Sequence, residues 1–154
     1  MREVVTLSIM CVFLLACASN NKVEVVVEEP IQYLDLTLDD NNQLINEYWV
    51  IEKRIEPKYP ISAARKGLSG CVDLIVSINS DGTSGDYKIR KSFPEGVFDK
   101  YATDALNNWQ WVAADKNSDK TPVLTTVQLD FMVSGTNNKT EAENHCGYSH
   151  VRYL

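Results

Sequence analysis

No apolar run in the sequence reaches the roughly 20 residues that a membrane-spanning helix requires. A polytopic membrane protein is therefore not expected. Positive charge is not in excess: 15 Lys and Arg stand against 21 Asp and Glu, a formal net charge of −6. Nucleic-acid binding asks for a basic stripe, so no nucleic-acid partner is expected. Histidine is scarce, with only His145 and His150 among 154 residues. Both fall in a polar tail, whereas Ser-His-Asp or Cys-His chemistry needs a His held rigidly beside its nucleophile. A Gly-rich phosphate loop is missing too, because Gly82-Thr83-Ser84-Gly85 lacks the Lys and the spacing. Asp73, Asp81 and Asp86 read as solvated or turn residues rather than a general acid/base pair. No enzymatic activity and no cofactor are expected. What is present is globular: 44% hydrophobic and 23% charged residues, enough for one domain of ordinary size.

The acidity is local. Residues 18–56 hold nine acids and three bases, whereas residues 57–133 hold nine of each and residues 134–154 two of each. That partition suggests a boundary near Pro57.

The start of the chain reads as an address. Met1-Arg2 is followed by an apolar core of 13 residues, 4–16, the length of a signal-peptide core and short for a transmembrane helix. It closes on Leu14-Leu15-Ala16-Cys17, which resembles the lipobox of bacterial lipoproteins. The resemblance implies a signal peptide over 1–16 and a lipid-modified Cys17, whose several acyl chains make a stable membrane anchor. The alternative is an uncleaved N-terminal anchor. Ala18 is not the Asp that tends to retain lipoproteins at the inner membrane. The periplasmic side of the envelope, with the outer membrane favoured, is the expected location.

Cysteine arithmetic follows from this address. Cys11 leaves with the signal and Cys17 is acylated. Cys71 and Cys146 remain as thiols in an oxidising compartment, where they could pair. The competitor is a metal site built from His145, Cys146 and His150, although the spacings match no standard zinc pattern.

Residues 17–56 read as a lipid-anchored acidic linker or a partly packed segment. Val23-Glu24-Val25-Val26-Val27 is strand-like, and Leu34-Asp35-Leu36-Thr37-Leu38 alternates strictly. Asp39-Asp40-Asn41-Asn42 is a loop signal. Residues 43–54 are too apolar for a solvated spacer. From Pro57 onward the signals sharpen. Residues 61–66 form a short helix candidate after Pro60, stopped by Gly67. Residues 70–79 alternate as a half-buried strand, and Asn79-Ser80-Asp81-Gly82 suits a hairpin turn. A second strand runs through Tyr87, Ile89 and Lys91. Val97, Phe98, Tyr101, Ala102, Ala105, Leu106 and Trp109 make one helical stripe. A third strand spans 125–133. The fold class expected is α+β: a short helix, then a three-stranded antiparallel sheet packed against one amphipathic helix. Residues 134–154 form a polar C-terminal tail.

This order resembles the C-terminal domain of the TonB family of periplasmic energy transducers. The residues that carry the likeness are Tyr59-Pro60, Ala63-Ala64, Gly70-Cys71-Val72, Asp81-Gly82, Phe98-Asp99, Ala102 and Ala105, Trp109-Gln110-Trp111, and the strand from Thr126 to Phe131. It covers residues 57–133. One departure is Val112-Ala113-Ala114, where the family usually places a Pro soon after Trp-x-aromatic. Each of these residues also has a structural role, and none is an expected active-site residue.

The resemblance implies partner binding by strand addition: an extended peptide of an outer-membrane transporter, or of another envelope protein, lies along the last strand. That places the partner on Thr125, Thr126, Val127, Gln128, Leu129, Asp130 and Phe131. Backbone groups give affinity, and Gln128 and Asp130 on the outer face give selection. The alternative is that this edge is covered by the N-terminal segment or by the tail. The transducer's inner-membrane helix, which engages a proton-driven motor, has no counterpart in this reading, and the linker is short and not Pro-rich, so whether a motor is engaged stays open. Two functions stay open: a TonB-like transport accessory, and a structural envelope lipoprotein using the fold for assembly or cell-wall contact. A dimer also stays open.

Overall fold

The computed structural model describes residues 30–38 and 44–147. The signal region, Cys17, the strand-like 23–27, the loop signal at 39–42, and the end of the tail with His150 lie outside the described residues. Contacts divide the chain into residues 1–30 and 31–154, and the second unit is the one described below.

Its centre is β3 (Gly70–Ile78), where Val72, Leu74, Val76 and Ile78 alternate with Cys71, Asp73, Ile75 and Ser77. Period 2 puts the first set on one face, and all four are fully buried. β4 (Ser84–Phe93) returns antiparallel through the Asn79–Thr83 turn. Gly82 sits there at φ +82°, and a Cβ on it would meet the Trp111 carbonyl oxygen at 2.1 Å, so both conformation and space require glycine. Gly70 is required by space alone, since its Cβ would lie 1.8 Å from the Phe93 carbonyl oxygen.

On the other side of β3 runs β6 (Val123–Phe131), antiparallel and paired over its whole length, from Gly70 opposite Phe131 to Ile78 opposite Val123. β6 alternates cleanly, with Val123, Thr125, Val127, Leu129 and Phe131 buried. The amphipathic helix α3 (Asp99–Leu106) puts Ala102, Ala105 and Leu106 inward. Phe98, fully buried, stacks on Phe131 with ring centroids 4.4 Å apart, and Tyr59 leans on both rings. The helix before this core, α2 (Ile61–Lys66), starts after Pro60 and stops at a left-handed Gly67. Thus the α+β class and its antiparallel heart, β6-β3-β4, follow the sequence pattern.

The structure adds elements to the expected three strands. β1 (Leu34–Asp35) pairs parallel to the start of β6, giving a four-stranded sheet in the order β1-β6-β3-β4. A single helical turn, α1 (Ile45–Tyr48), leads into β2 (Trp49–Lys53), which pairs with β5 (Gln110–Ala113) as a separate two-stranded ribbon. Leu36, Ile45 and Trp49 from this stretch enter the common core, and the Trp49 indole N–H donates to the Thr121 carbonyl oxygen. Residues 31–56 are therefore packed where the structure describes them, rather than strung out as a spacer. The sequence pattern did not separate β5, a four-residue strand whose Trp111, like the preceding Trp109, is buried.

The tail also folds. α4 (Lys139–Cys146) packs on β3 and β4, on the face opposite the main core, with Ala142 fully buried. This covers Cys71, and Asp73 on the same face is buried beside Arg90 of β4, so β3 is buried on both faces. The Asn138 side chain anchors the turn before α4, accepting from the Ser69 N–H at 2.7 Å and donating to the Ser69 carbonyl at 2.9 Å. Among the described residues no helix is long and apolar enough to cross a membrane.

Candidate functional site

The seven residues expected to receive a partner, Thr125, Thr126, Val127, Gln128, Leu129, Asp130 and Phe131, all lie in β6. They divide by parity. Thr125, Val127, Leu129 and Phe131 point into the core, so their side chains are not offered to a partner. Thr126 and Gln128 are half-buried and Asp130 is exposed, which puts selection on the even positions.

The backbone divides in the same way. Leu34 N–H donates to the Pro122 carbonyl at 3.0 Å, and Leu36 N–H donates to the Leu124 carbonyl at 2.8 Å. Carbonyls two residues apart on a strand point to the same side. The N–H and C=O groups of Gln128 and Asp130 therefore face the side on which β1 lies. β1 itself is opposite Val123 and Leu124 only. The alternative raised from the sequence, an edge covered by the N-terminal segment, thus holds for the first part of the strand. Beyond Leu124, no described strand pairs with β6 on that side.

What stops β1 is local. Asp35 Oδ1 accepts from Thr37 N–H at 2.9 Å and from Thr37 Oγ1 at 2.7 Å. This turn peels the chain from the edge at Thr37. Those same hydrogen bonds, the hydroxyl first, hold the Asp35 carboxyl below its ordinary pKa.

At the far end, Gln128 Nε2 donates to Asp130 Oδ1 at 2.8 Å. Asp130 is exposed as a residue, but its carboxyl is crowded by neighbouring chain. The lost hydration raises its pKa, against the Gln128 hydrogen bond and the Arg54 charge, which lower it. Arg54 lies over the Trp109 ring at 5.2 Å and pairs with Glu56 at 2.8 Å. Arg54 was not singled out from the sequence, since one Arg in a mixed-charge stretch carries no signal.

Cys71 and Cys146 come together. Their sulfur atoms are 2.08 Å apart and their Cα atoms 5.8 Å, a spacing normal for a disulfide. Lys91 Nζ donates to the His145 carbonyl, and the His145 ring stacks on Phe93 at 4.3 Å. Among the described residues no group of three or more His, Cys, Asp or Glu could hold a metal ion.

The fold and this edge define a small α+β domain with one partly covered sheet edge. Comparison with known proteins places it further. The model of the Gram-negative bacterial TonB protein C-terminal family matches residues 55–133, just over half of the chain, and the chain belongs to that family. A protein TonB of Xanthomonas campestris pv. campestris (strain B100) is 32% identical over 78 residues, covering 51% of this chain and 35% of that relative. A protein tonB2 of Pseudomonas aeruginosa is 28% identical over 78 residues, covering 51% of this chain and 29% of that relative. The chain thus spans about a third of the length of these curated relatives. The solution NMR structure of the Pseudomonas aeruginosa TonB CTD superposes with a TM-score of 0.51 at 23% identity, covering 56% of this chain and 87% of that one, a likeness of fold.

Proposed function

We propose that this protein is a TonB-like envelope lipoprotein, anchored through Cys17 on the periplasmic side, with the outer membrane favoured. Its domain binds an extended peptide of a TonB-dependent transporter by adding a strand to β6. It serves transmembrane transport through binding and not through catalysis. The observation that carries this proposal is the stretch of β6 beyond β1, where the backbone groups of Gln128 and Asp130 face an edge that no described strand pairs. Membership of the TonB C-terminal family supports the choice of partner. Backbone pairing would supply affinity, and the exposed Asp130 with its Gln128 contact would supply selection.

The direct test is site-directed crosslinking. Cys placed at Gln128 or Asp130 should form a mixed disulfide with a peptide carrying a TonB box and one Cys. No crosslink from either position removes the binding proposal. Deleting the gene should lower siderophore or vitamin B12 uptake. Unchanged uptake with altered envelope integrity would favour a structural lipoprotein instead. Incorporation of labelled palmitate, lost in Cys17→Ser, tests the anchor.

A further inference from the structure

The chain beyond β6 is fastened to the domain at two places, and the two fastenings differ in kind. The first is a polar clamp on Ser69, which is fully buried. Its N–H donates to Asn138 Oδ1 at 2.7 Å, and its carbonyl accepts from Asn138 Nδ2 at 2.9 Å. Its hydroxyl accepts from the Val133 N–H at 3.0 Å and lies 2.7 Å from Thr136 Oγ1. The Asn137 N–H adds a bond to the Gly67 carbonyl at 2.7 Å. These bonds hold residues 133–138 against 67–69 without any sulfur. The second fastening is at the far end of α4, where Cys146 is joined to Cys71. The contacts beside it are at the surface: the exposed His145 ring on Phe93, and Lys91 Nζ on the His145 carbonyl. The helix between the two is weak by itself. It has eight residues, too few for a helix to stand alone in water. Thr140, Asn144, His145 and Cys146 are poor helix formers. Its Lys139–Glu143 ion pair, at 3.6 Å and open to water, adds little. The match to the TonB C-terminal family ends at residue 133, so α4 and Cys146 lie beyond it.

We propose that the Cys71–Cys146 disulfide is a redox latch on the last turn of α4, opened by a dithiol. Cys146 is half-buried and Cys71 is 1% exposed, so the sulfur open to attack is that of Cys146. A thiolate of the dithiol bonds to Cys146 Sγ, the Cys71–Cys146 bond breaks, and Cys71 leaves as a thiolate that takes up a proton. The second thiol of the dithiol then displaces Cys146 and closes the reagent to its own disulfide. The protein gains two electrons and two protons, held as two thiols. The turn from Ala142 to Cys146 then lifts away and uncovers Cys71 and its cross-strand neighbour Phe93. The Ser69 clamp stays shut, so the opening is local. The clamp also sets how strongly the latch acts. While it holds, the disulfide closes a loop of about ten residues, for which the chain-entropy model gives roughly a hundredfold change in the open fraction. The latch works whether or not β6 takes a partner.

The test uses the full chain with dithiothreitol as the dithiol. Thiol labelling, amide hydrogen exchange and near-UV circular dichroism are followed before and after reduction. Reduction in native buffer should add two reactive thiols and leave the near-UV signal of the buried Trp49, Trp109 and Trp111 in place. Exchange at the Cys146 and Gly147 amides should quicken at least tenfold. Exchange at Ser69 and Asn137, inside the clamp, and at Leu74 in β3 should not change. Oxidised glutathione should restore the slow rates. Asn138→Ala in the oxidised chain should quicken Ser69 with the disulfide still closed, and an unchanged Ser69 rate there overturns the clamp on which local opening depends. No new thiols in the native chain overturn the latch, as do unchanged rates at Cys146 and Gly147 after reduction. Loss of the near-UV signal, or equal quickening at Ser69, Leu74 and Gly147, makes the disulfide a staple of the whole fold and overturns it too.

Discussion

Thr125 offers a clean separation of stability from binding. It lies in the middle of the candidate strand, yet it is only 1% exposed, and its Oγ1 has no hydrogen-bond partner. A buried hydroxyl without a partner costs about 1–3 kcal/mol, because it has surrendered its bonds to water. Valine has nearly the same shape and replaces the hydroxyl with a methyl group. Thr125→Val should therefore stabilise the protein by about 1–2 kcal/mol, the lower part of that range, since the methyl must fit the same space. Valine also suits a half-buried strand. In urea denaturation followed by far-UV circular dichroism, the midpoint should rise with no change in slope. The melting temperature should rise by about 4 °C or more. Because the side chain faces the core and only the backbone faces β3, peptide affinity should not change. A lower midpoint would mean that the hydroxyl has a partner in solution. A change in peptide affinity at unchanged stability would mean that β6 does not present its odd residues inward.

Three further outcomes follow from the same structure. Mature protein should show no free thiol at Cys71 or Cys146 before reduction, and a thiol count on the denatured chain checks this. Closing a separation of 75 residues is worth about 4 kcal/mol on the chain-entropy model, so Cys146→Ser should lose stability of that order. The Asp130 carboxyl has a raised pKa, so the fold disfavours its charged form, and its cost to stability is present above the folded pKa and relieved as pH falls through it. Asp130→Asn should therefore melt slightly above the wild type at pH 7. The gap should shrink as the pH falls through the range in which carboxylates protonate. A gap that widens toward low pH would contradict this.

Much of the domain could be read from residue order because its determinants are local. Pro60 and Gly67 bracket a six-residue helix, and 61–66 is where it forms. The alternation from Cys71 to Ile78 fixes β3 and its buried face, since a one-residue slip would reverse every side chain. The Phe98 to Trp109 stripe fixes which side of α3 meets the sheet, although the helix itself is shorter, Asp99–Leu106. The same period leaves the even positions of β6, Gln128 and Asp130 among them, less buried than the odd ones.

Other features depended on partners distant in sequence. The pairing of Trp49–Lys53 with Gln110–Ala113 joins two short apolar pieces, neither long enough to announce a strand alone. The 34–38 alternation does predict a strand, but it cannot say that a side-chain turn at Asp35 stops pairing after two residues, nor that the partner is β6. The tail gave no periodic signal, because α4 is held by scattered contacts of Asn138, Ala142, His145 and Cys146 rather than by an apolar stripe. By itself, then, the sequence determined the α+β class, the inward and outward faces of each long strand, and the family likeness. Those follow from periodicity and local turn chemistry. Only the tertiary structure decided how β1 meets the β6 edge, where Cys146 finds Cys71, and that residues 31–38 and 44–56 pack with the domain. Each of these is a contact between segments tens of residues apart, set by which surfaces can be buried together.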